Sequence, residues 1–273
     1  MKFLAACLLF LLLPTSALAA DAVQSFVSTR PAARVEYWQH RQQAIATELE
    51  NKDRLRQVRL LFVGDSITDF WLLDQNPWVD GQWFGRKIWD ESFATPGSAN
   101  YALNIGISGD RIEHVLYRLQ PRRDGGLGEL DAPELAPEYI VLMLGINNSW
   151  AAEQPVVDSI SAGVRTVLES LRSRKPGSRI ILQSLLPTQD PRKNADVVRP
   201  VNDRLRAMTE SAEFKGQVVW LELYGAFIDD HGVQIGGHFD DGLHPNAKGY
   251  RIWRDRLVPF IEQLRKQGPS TSP

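Results

Sequence analysis

Four short groups of residues carry side chains that could do chemistry if the fold brought them together. Ser66 follows the apolar run Leu60-Leu61-Phe62-Val63 and the pair Gly64-Asp65. Gly106 sits in Asn104-Ile105-Gly106, just ahead of Ser108-Gly109-Asp110. Asn147 and Asn148 follow Met143-Leu144-Gly145, and Asp241-Gly242-Leu243-His244-Pro245-Asn246 comes near the carboxyl end. A serine hydroxyl is a weak nucleophile near neutral pH and attacks only when a base within hydrogen-bond reach takes its proton. His244 is a candidate base. A carboxylate three residues ahead of a histidine can fold back within one turn to hold Nδ1–H, which fixes the tautomer that leaves Nε2 free. A glycine at a strand end can leave its N–H bare and facing a site. Each group also has a plain structural reading: a serine capping a helix, asparagines forming a turn, Asp241 capping the last helix with His244 in a loop.

The elements that must position these groups follow from the apolar pattern. The run at 60–63 does not alternate, which suits a strand covered on both faces in the middle of a parallel sheet. Further strands are expected at Ala102 to Ile105, Tyr139 to Leu144, Arg179 to Leu186 and Val218 to Leu223. Helices are expected at Arg111 to Leu119, Val156 to Arg174, Val197 to Ser211 and Ala247 to Lys266. Alternating strands and helices with right-handed crossovers give an α/β fold, a parallel sheet with helices on both faces. Such sheets bind ligands beyond the carboxyl ends of their strands, where all four groups fall. Val35, Trp38, Ile45 and Leu49 form a stripe in the polar, helix-forming stretch from Pro31 to Asn51, so a flanking helix is expected there.

The ends of the chain carry separate signals. Met1-Lys2, the apolar run Phe3 to Leu13 and the small residues Ala17-Leu18-Ala19 have the form of a secretory signal peptide over 1–19, with export to the periplasm or medium. The run is too short to span a bilayer, so no stable membrane insertion is expected. Cleavage there would remove Cys7, the chain's one cysteine, leaving no disulfide. A leader and flanking helix are expected over 20–57, one domain over 58–267 and a disordered tail over 268–273. The formal net charge of −2 gives no reason to expect a nucleic-acid partner. His231, His238, Asp240 and Asp241 match no standard zinc spacing, and no metal or other cofactor is expected. Oligomeric state is not legible.

Taken in order, Ser66, Gly106, Asn147 and His244 with Asp241 resemble the SGNH or GDSL hydrolases. More closely, Phe62 to Ser66, the run Asn104-Ile105-Gly106-Ile107-Ser108-Gly109-Asp110-Arg111, His114 to Leu119 and Gly145 to Asn148 are similar to the platelet-activating-factor acetylhydrolase-like branch. The resemblance covers roughly 58–265. It implies a three-layer α/β/α sandwich with a five-stranded parallel sheet in the flavodoxin-like order 2-1-3-4-5. It implies a serine esterase with Ser66, His244 and Asp241 as catalytic residues. The backbone N–H groups of Ser66 and Gly106 and the side chain of Asn147 would form its oxyanion hole. One departure is Asn148, where the family commonly has aspartate; the Asn-Asn pair is familiar in the branch.

The substrate is read from the segment Phe70 to Tyr101, which contains Trp71, Trp78, Trp83, Phe84, Trp89 and Phe93. Indole faces beside a site commonly stack on sugars, which favours short-chain acyl esters and above all O-acetyl groups on carbohydrate. Trp71, Trp83, Asp65 and Asn148 are candidate substrate contacts. At least half of the aromatics are expected to be buried instead, and Asp65 and Asp69 also fit a role bracing the serine turn. His40 and His114 fit structural roles. Two other readings stay open: hydrolysis of lipid, aryl or thioester substrates, and a non-catalytic carbohydrate-binding module on the same fold.

Overall fold

The computed structural model describes residues 25–34, 38–76, 80–150 and 153–268. The leader at 1–19, Val35, Trp78 and residues 269–273 of the expected tail lie outside the described residues. In chain order the elements are α1 (Gln39–Glu50), α2 (Lys52–Gln57), β1 (Leu60–Gly64), α3 (Ser66–Asp69), α4 (Arg86–Ser92), β2 (Ala102–Asn104) and α5 (Ile112–Leu119). They continue with β3 (Tyr139–Met143), α6 (Val156–Arg174), β4 (Arg179–Gln183), α7 (Pro191–Lys193), α8 (Arg199–Glu210), β5 (Val218–Leu221) and α9 (Ala247–Lys266).

The five strands form one parallel sheet in the order β2-β1-β3-β4-β5. Every residue of β1 and β3 is buried, the physical counterpart of their unalternating apolar sequence. The chain winds from β1 outward to β2, then reverses through β3 to β5. Right-handed crossovers therefore put α4 on one face and α5, α6 and α8 on the other. The packing agrees: α6 lies against α5 and α8, while α4 lies against α9. The reversal falls between β1 and β3, and beyond the carboxyl ends of strands at such a point is where sheets of this kind bind ligands. Ser66 and Asn147 lie in the turns that follow these two strands.

The strands stop one to three residues short of several expected ends, because the backbone turns away to build the site. Gln183 ends β4 and Leu221 ends β5. Ser184 Oγ then accepts from the N–H groups of Leu223 and Tyr224, so a side chain satisfies what a longer ladder would have. The expected helix over Pro31 to Asn51 is α1 alone. Residues 31–34 run outside it, and their contacts matter to the site.

Candidate active site

Ser66 is the first residue of α3, and Asp65 ahead of it is the cap. Asp65 Oδ1 accepts from Ile67 N–H at 3.0 Å, and Tyr250 Oη donates to Ile67 O at 2.7 Å. The turn that carries the hydroxyl is thus tied both to itself and to α9. At the other end of the chain, Asn246 caps α9 by accepting from Lys248 and Gly249, and His244 lies just before it. His244 Nε2 is 2.8 Å from Ser66 Oγ across 178 residues of sequence. His244 Nδ1 is 2.6 Å from Asp241 Oδ2, and Asp241 Oδ1 accepts from the N–H groups of Leu243 and His244. Phe70 packs on the imidazole with ring centroids 4.8 Å apart. The carboxylate folds back in one turn and the ring reaches the serine, as the spacing implied.

The electrostatics separate the two aspartates. Burial acts to raise the pKa of Asp241, but its bonds to the His244 ring and to two backbone N–H groups outweigh it and hold the carboxyl at about 2. Burial raises Asp65 to about 7, against the Ile67 bond and the nearby His244. Asp65 is 1 % exposed and its Oδ2 has no partner among the described residues. It braces the serine turn and offers nothing to a substrate, which corrects that expectation.

The loop after β2 departs from the expected oxyanion hole. Gly106 N–H donates to Asn104 Oδ1 at 2.8 Å and is spent. Gly106 serves close packing instead: a Cβ there would lie 2.7 Å from Asp69 N. Gly109, three residues on, is half-buried in a turn closed by Asp110 N–H to Ile107 O at 3.1 Å. Its φ is +78°, and its N–H has no acceptor among the described residues. The loop is held against the nucleophile turn by Asn104 Nδ2 to Thr68 O (2.7 Å) and by Ser108 N–H to Asp69 Oδ2 (2.9 Å). The Ser66 N–H, first of a helix and without an acceptor among the described residues, is a second bare donor.

After β3 the two asparagines divide. Asn147 Nδ2 donates one hydrogen to Asp110 O at 2.8 Å, which leaves the other for a ligand. Asn148 is buried, and both ends of its amide are engaged: Oδ1 accepts from Ile112 N–H at 3.0 Å and Nδ2 donates to Glu113 Oε2 at 2.9 Å. Asn148 locks the start of α5 to the Asn147 loop and does not face the site, so it is no substrate contact.

Below the loop lies a buried ion network. Arg118, wholly buried, pairs with Asp110 Oδ2 at 2.8 Å and with Glu129. Burial lowers the pKa of Arg118, but the two carboxylates outweigh it and raise it. His114 accepts from Arg111 N–H at 3.1 Å and closes the cap of α5, the structural role expected of it.

Trp71 is also corrected. It is fully buried among Phe62, Phe93, Tyr250 and Trp253. With Phe84, Trp89 and Phe93, also buried, it fastens the segment to the core. Trp83 is 56 % exposed, and its carbonyl accepts from Ala247 N–H, three residues past His244. The sequence reading missed Trp150, which is 54 % exposed, three residues past Asn147, with Lys193 Nζ 4.1 Å from its ring centroid. Among the described residues no group of His, Cys, Asp or Glu is placed to hold a metal ion. No helix among them is long and apolar enough to cross a membrane.

Residues 62–252 match the model of the GDSL-like Lipase/Acylhydrolase family. The chain is 30 % identical to platelet-activating factor acetylhydrolase IB subunit alpha2 of Rattus norvegicus over 81 % of this chain and 82 % of that one. A GDSL-like lipase from Bacteroides thetaiotaomicron superposes with a TM-score of 0.57 at 20 % identity, over 81 % of this chain and 97 % of the other. A carbohydrate esterase family 3 structure from Talaromyces cellulolyticus gives a TM-score of 0.52 at 21 % identity, over 77 % and 99 %. The chain belongs to the GDSL-like lipase/acylhydrolase family and is an ester hydrolase.

Proposed function

We propose that the chain is a serine esterase that removes short acyl groups, foremost O-acetyl groups from carbohydrate, outside the cytoplasm. The observation that carries the mechanism is the continuous line from Asp241 through the His244 ring to Ser66 Oγ. Ser66 Oγ attacks the ester carbonyl carbon while His244 Nε2 takes its proton. Asp241, ionised down to about pH 2, orients the ring and stabilises the imidazolium without taking the proton itself. Negative charge moves to the carbonyl oxygen, which the N–H groups of Ser66 and Gly109 and the free Asn147 amide hydrogen receive. One such donor is worth about 3 kcal/mol in the transition state. The alcohol then leaves with the proton held by His244, and water repeats the sequence to free the acid.

Support for the carbohydrate alcohol comes from the exposed indoles. Trp83 adjoins the loop of the base and Trp150 the loop of the Asn147 donor. Lys193 Nζ is fixed by Ser149 O and Oγ (3.1 and 3.2 Å) and sits on the Trp150 ring, so that indole is pinned while still half open. A fixed, exposed indole suits a sugar ring. The names of the relatives, an acetylhydrolase and a carbohydrate esterase, favour acetyl as the acyl group. Export rests on the pattern of residues 1–19, and amino-terminal sequencing of exported protein should begin at Ala20.

The test is hydrolysis of para-nitrophenyl acetate, butyrate and octanoate and of acetylated oligosaccharides, beside Ser66→Ala. Acetate should be the best of the three aryl esters, and Ser66→Ala should be inert. Preference for octanoate would replace this reading with a lipase. Equal inertness of wild type and variant on every substrate would favour the binding module.

A further inference from the structure

Arg34 lies ahead of the first strand, outside residues 62–252 that match the family, in the coil that precedes α1. Its Nη1 donates to Ser108 O at 2.6 Å and lies 3.3 Å from Asp110 Oδ1, 74 and 76 residues away in sequence. Arg41, on α1, reaches the same loop: Nη2 donates to Asn104 O at 2.7 Å, and Nε lies 3.1 Å from Gly106 O and 2.8 Å from Asp69 Oδ1. Asp69 in turn holds Ser108 N–H. Two arginines from the amino-terminal segment therefore grip the carbonyls of one loop.

The Ser108 carbonyl and the Gly109 N–H belong to a single peptide unit. That unit is planar and trans, so its oxygen and hydrogen point in opposite directions. A guanidinium that fixes the oxygen also aims the N–H. The turn Ile107 to Asp110, with φ of +78° at its third residue, has the form of a type II turn. A type I turn keeps similar ends but rolls the central peptide over. In this loop that roll would turn the Ser108 carbonyl toward the site in place of the Gly109 N–H, and a carbonyl oxygen repels an oxyanion. The charged bond to Ser108 O also polarises the peptide and strengthens its N–H as a donor.

We propose that Arg34 is a positioning residue of the oxyanion hole, which locks the Ser108–Gly109 peptide with its N–H toward the substrate, and that the amino-terminal segment is a working part of the active site. This rests on the esterase reading above, in which Gly109 N–H is one of the donors. Arg34 touches no reacting atom; it acts through one peptide plane, with Arg41 and Asp69 holding the backbone just ahead of it.

The experiment compares Arg34→Met and Arg34→Lys with wild type and Ser66→Ala on para-nitrophenyl acetate, with inhibition by a trifluoromethyl ketone, whose serine adduct places an oxyanion in the hole. Loss of one donor costs about a hundredfold to a thousandfold in kcat, so a misaimed donor in Arg34→Met should cost about tenfold to a hundredfold, with KM little changed. The ketone should weaken by a similar factor, the melting temperature should hold, and Arg34→Lys or added millimolar guanidinium ion should restore part of kcat. If Arg34→Met does not fold, Arg34→Lys carries the same readouts, with a smaller fall in kcat expected. A kcat close to wild type, or a loss confined to KM or to melting temperature, would overturn the proposal. Activity that persists in Ser66→Ala would instead overturn the esterase reading, so the two failures are distinguishable.

Discussion

Two adjacent asparagines make opposite predictions. Asn147 has one part-buried hydrogen bond, to Asp110 O, and one hydrogen left over. Asn147→Ala loses that single neutral bond, about 1 kcal/mol of stability, and one oxyanion donor, about 3 kcal/mol in the transition state. Asn148→Ala strands the buried Ile112 N–H, at about 1–3 kcal/mol, and removes a bond to the Glu113 carboxylate, at about 1.5–3 kcal/mol. The sum is about 2.5–6 kcal/mol, which at roughly 2–4 °C per kcal/mol for a chain of this size lowers the melting temperature by about 5–24 °C. The assay is kcat and KM on para-nitrophenyl acetate together with thermal unfolding. Asn147→Ala should lose about a hundredfold or more in kcat, with KM and melting temperature little changed. Asn148→Ala should melt early while the folded fraction keeps most of its turnover. The assignment is refuted if Asn147→Ala loses only substrate affinity, or if Asn148→Ala melts with the wild type.

Further tests follow from buried groups. Asp65 has a folded pKa of about 7 against about 4 unfolded, so the folded state binds more protons between those values and stability falls as pH rises through that window. The loss is at most about 4 kcal/mol; Asp65→Asn, which keeps a cap oxygen, should flatten the pH dependence of urea unfolding between pH 4 and 7, and an unchanged slope would count against it. Arg118→Met leaves Glu129 buried without its paired cation and Asp110 with Arg34 alone, and should destabilise by about 3–5 kcal/mol in urea unfolding, partly relieved by adding Glu129→Gln. Gly106→Ala drives a methyl against Asp69 N and Thr68 and should cost about 1–3 kcal/mol, measured the same way.

Much of this arrangement was legible in the chain. Unalternating apolar runs marked β1 and β3, because strands buried on both faces have no polar side to show. Ser66, Asp241 and His244 were legible because a spacing of three lets the carboxylate reach its own imidazole, and because strand ends converge at the sheet's reversal point. The choice between Gly106 and Gly109 was not. Both glycines follow β2, and only the bond from Gly106 N–H to Asn104 Oδ1 shows which donor is spent. Trp71 and Trp83 read alike as indoles in one loop; the packing of Trp71 against α9 separates them. Arg34 and Arg41 carried no signal, since their partners lie 28 to 76 residues away and are mostly backbone carbonyls, which every residue has.

The most direct measurement is covalent. Incubation with an organophosphate such as paraoxon, followed by intact-mass and peptide mass spectrometry, should show one phosphoryl group per chain, carried on Ser66, with activity lost in proportion to labelling. His244→Ala should label far more slowly. An active enzyme that takes no label, or one labelled at another residue, would contradict Ser66 as the nucleophile.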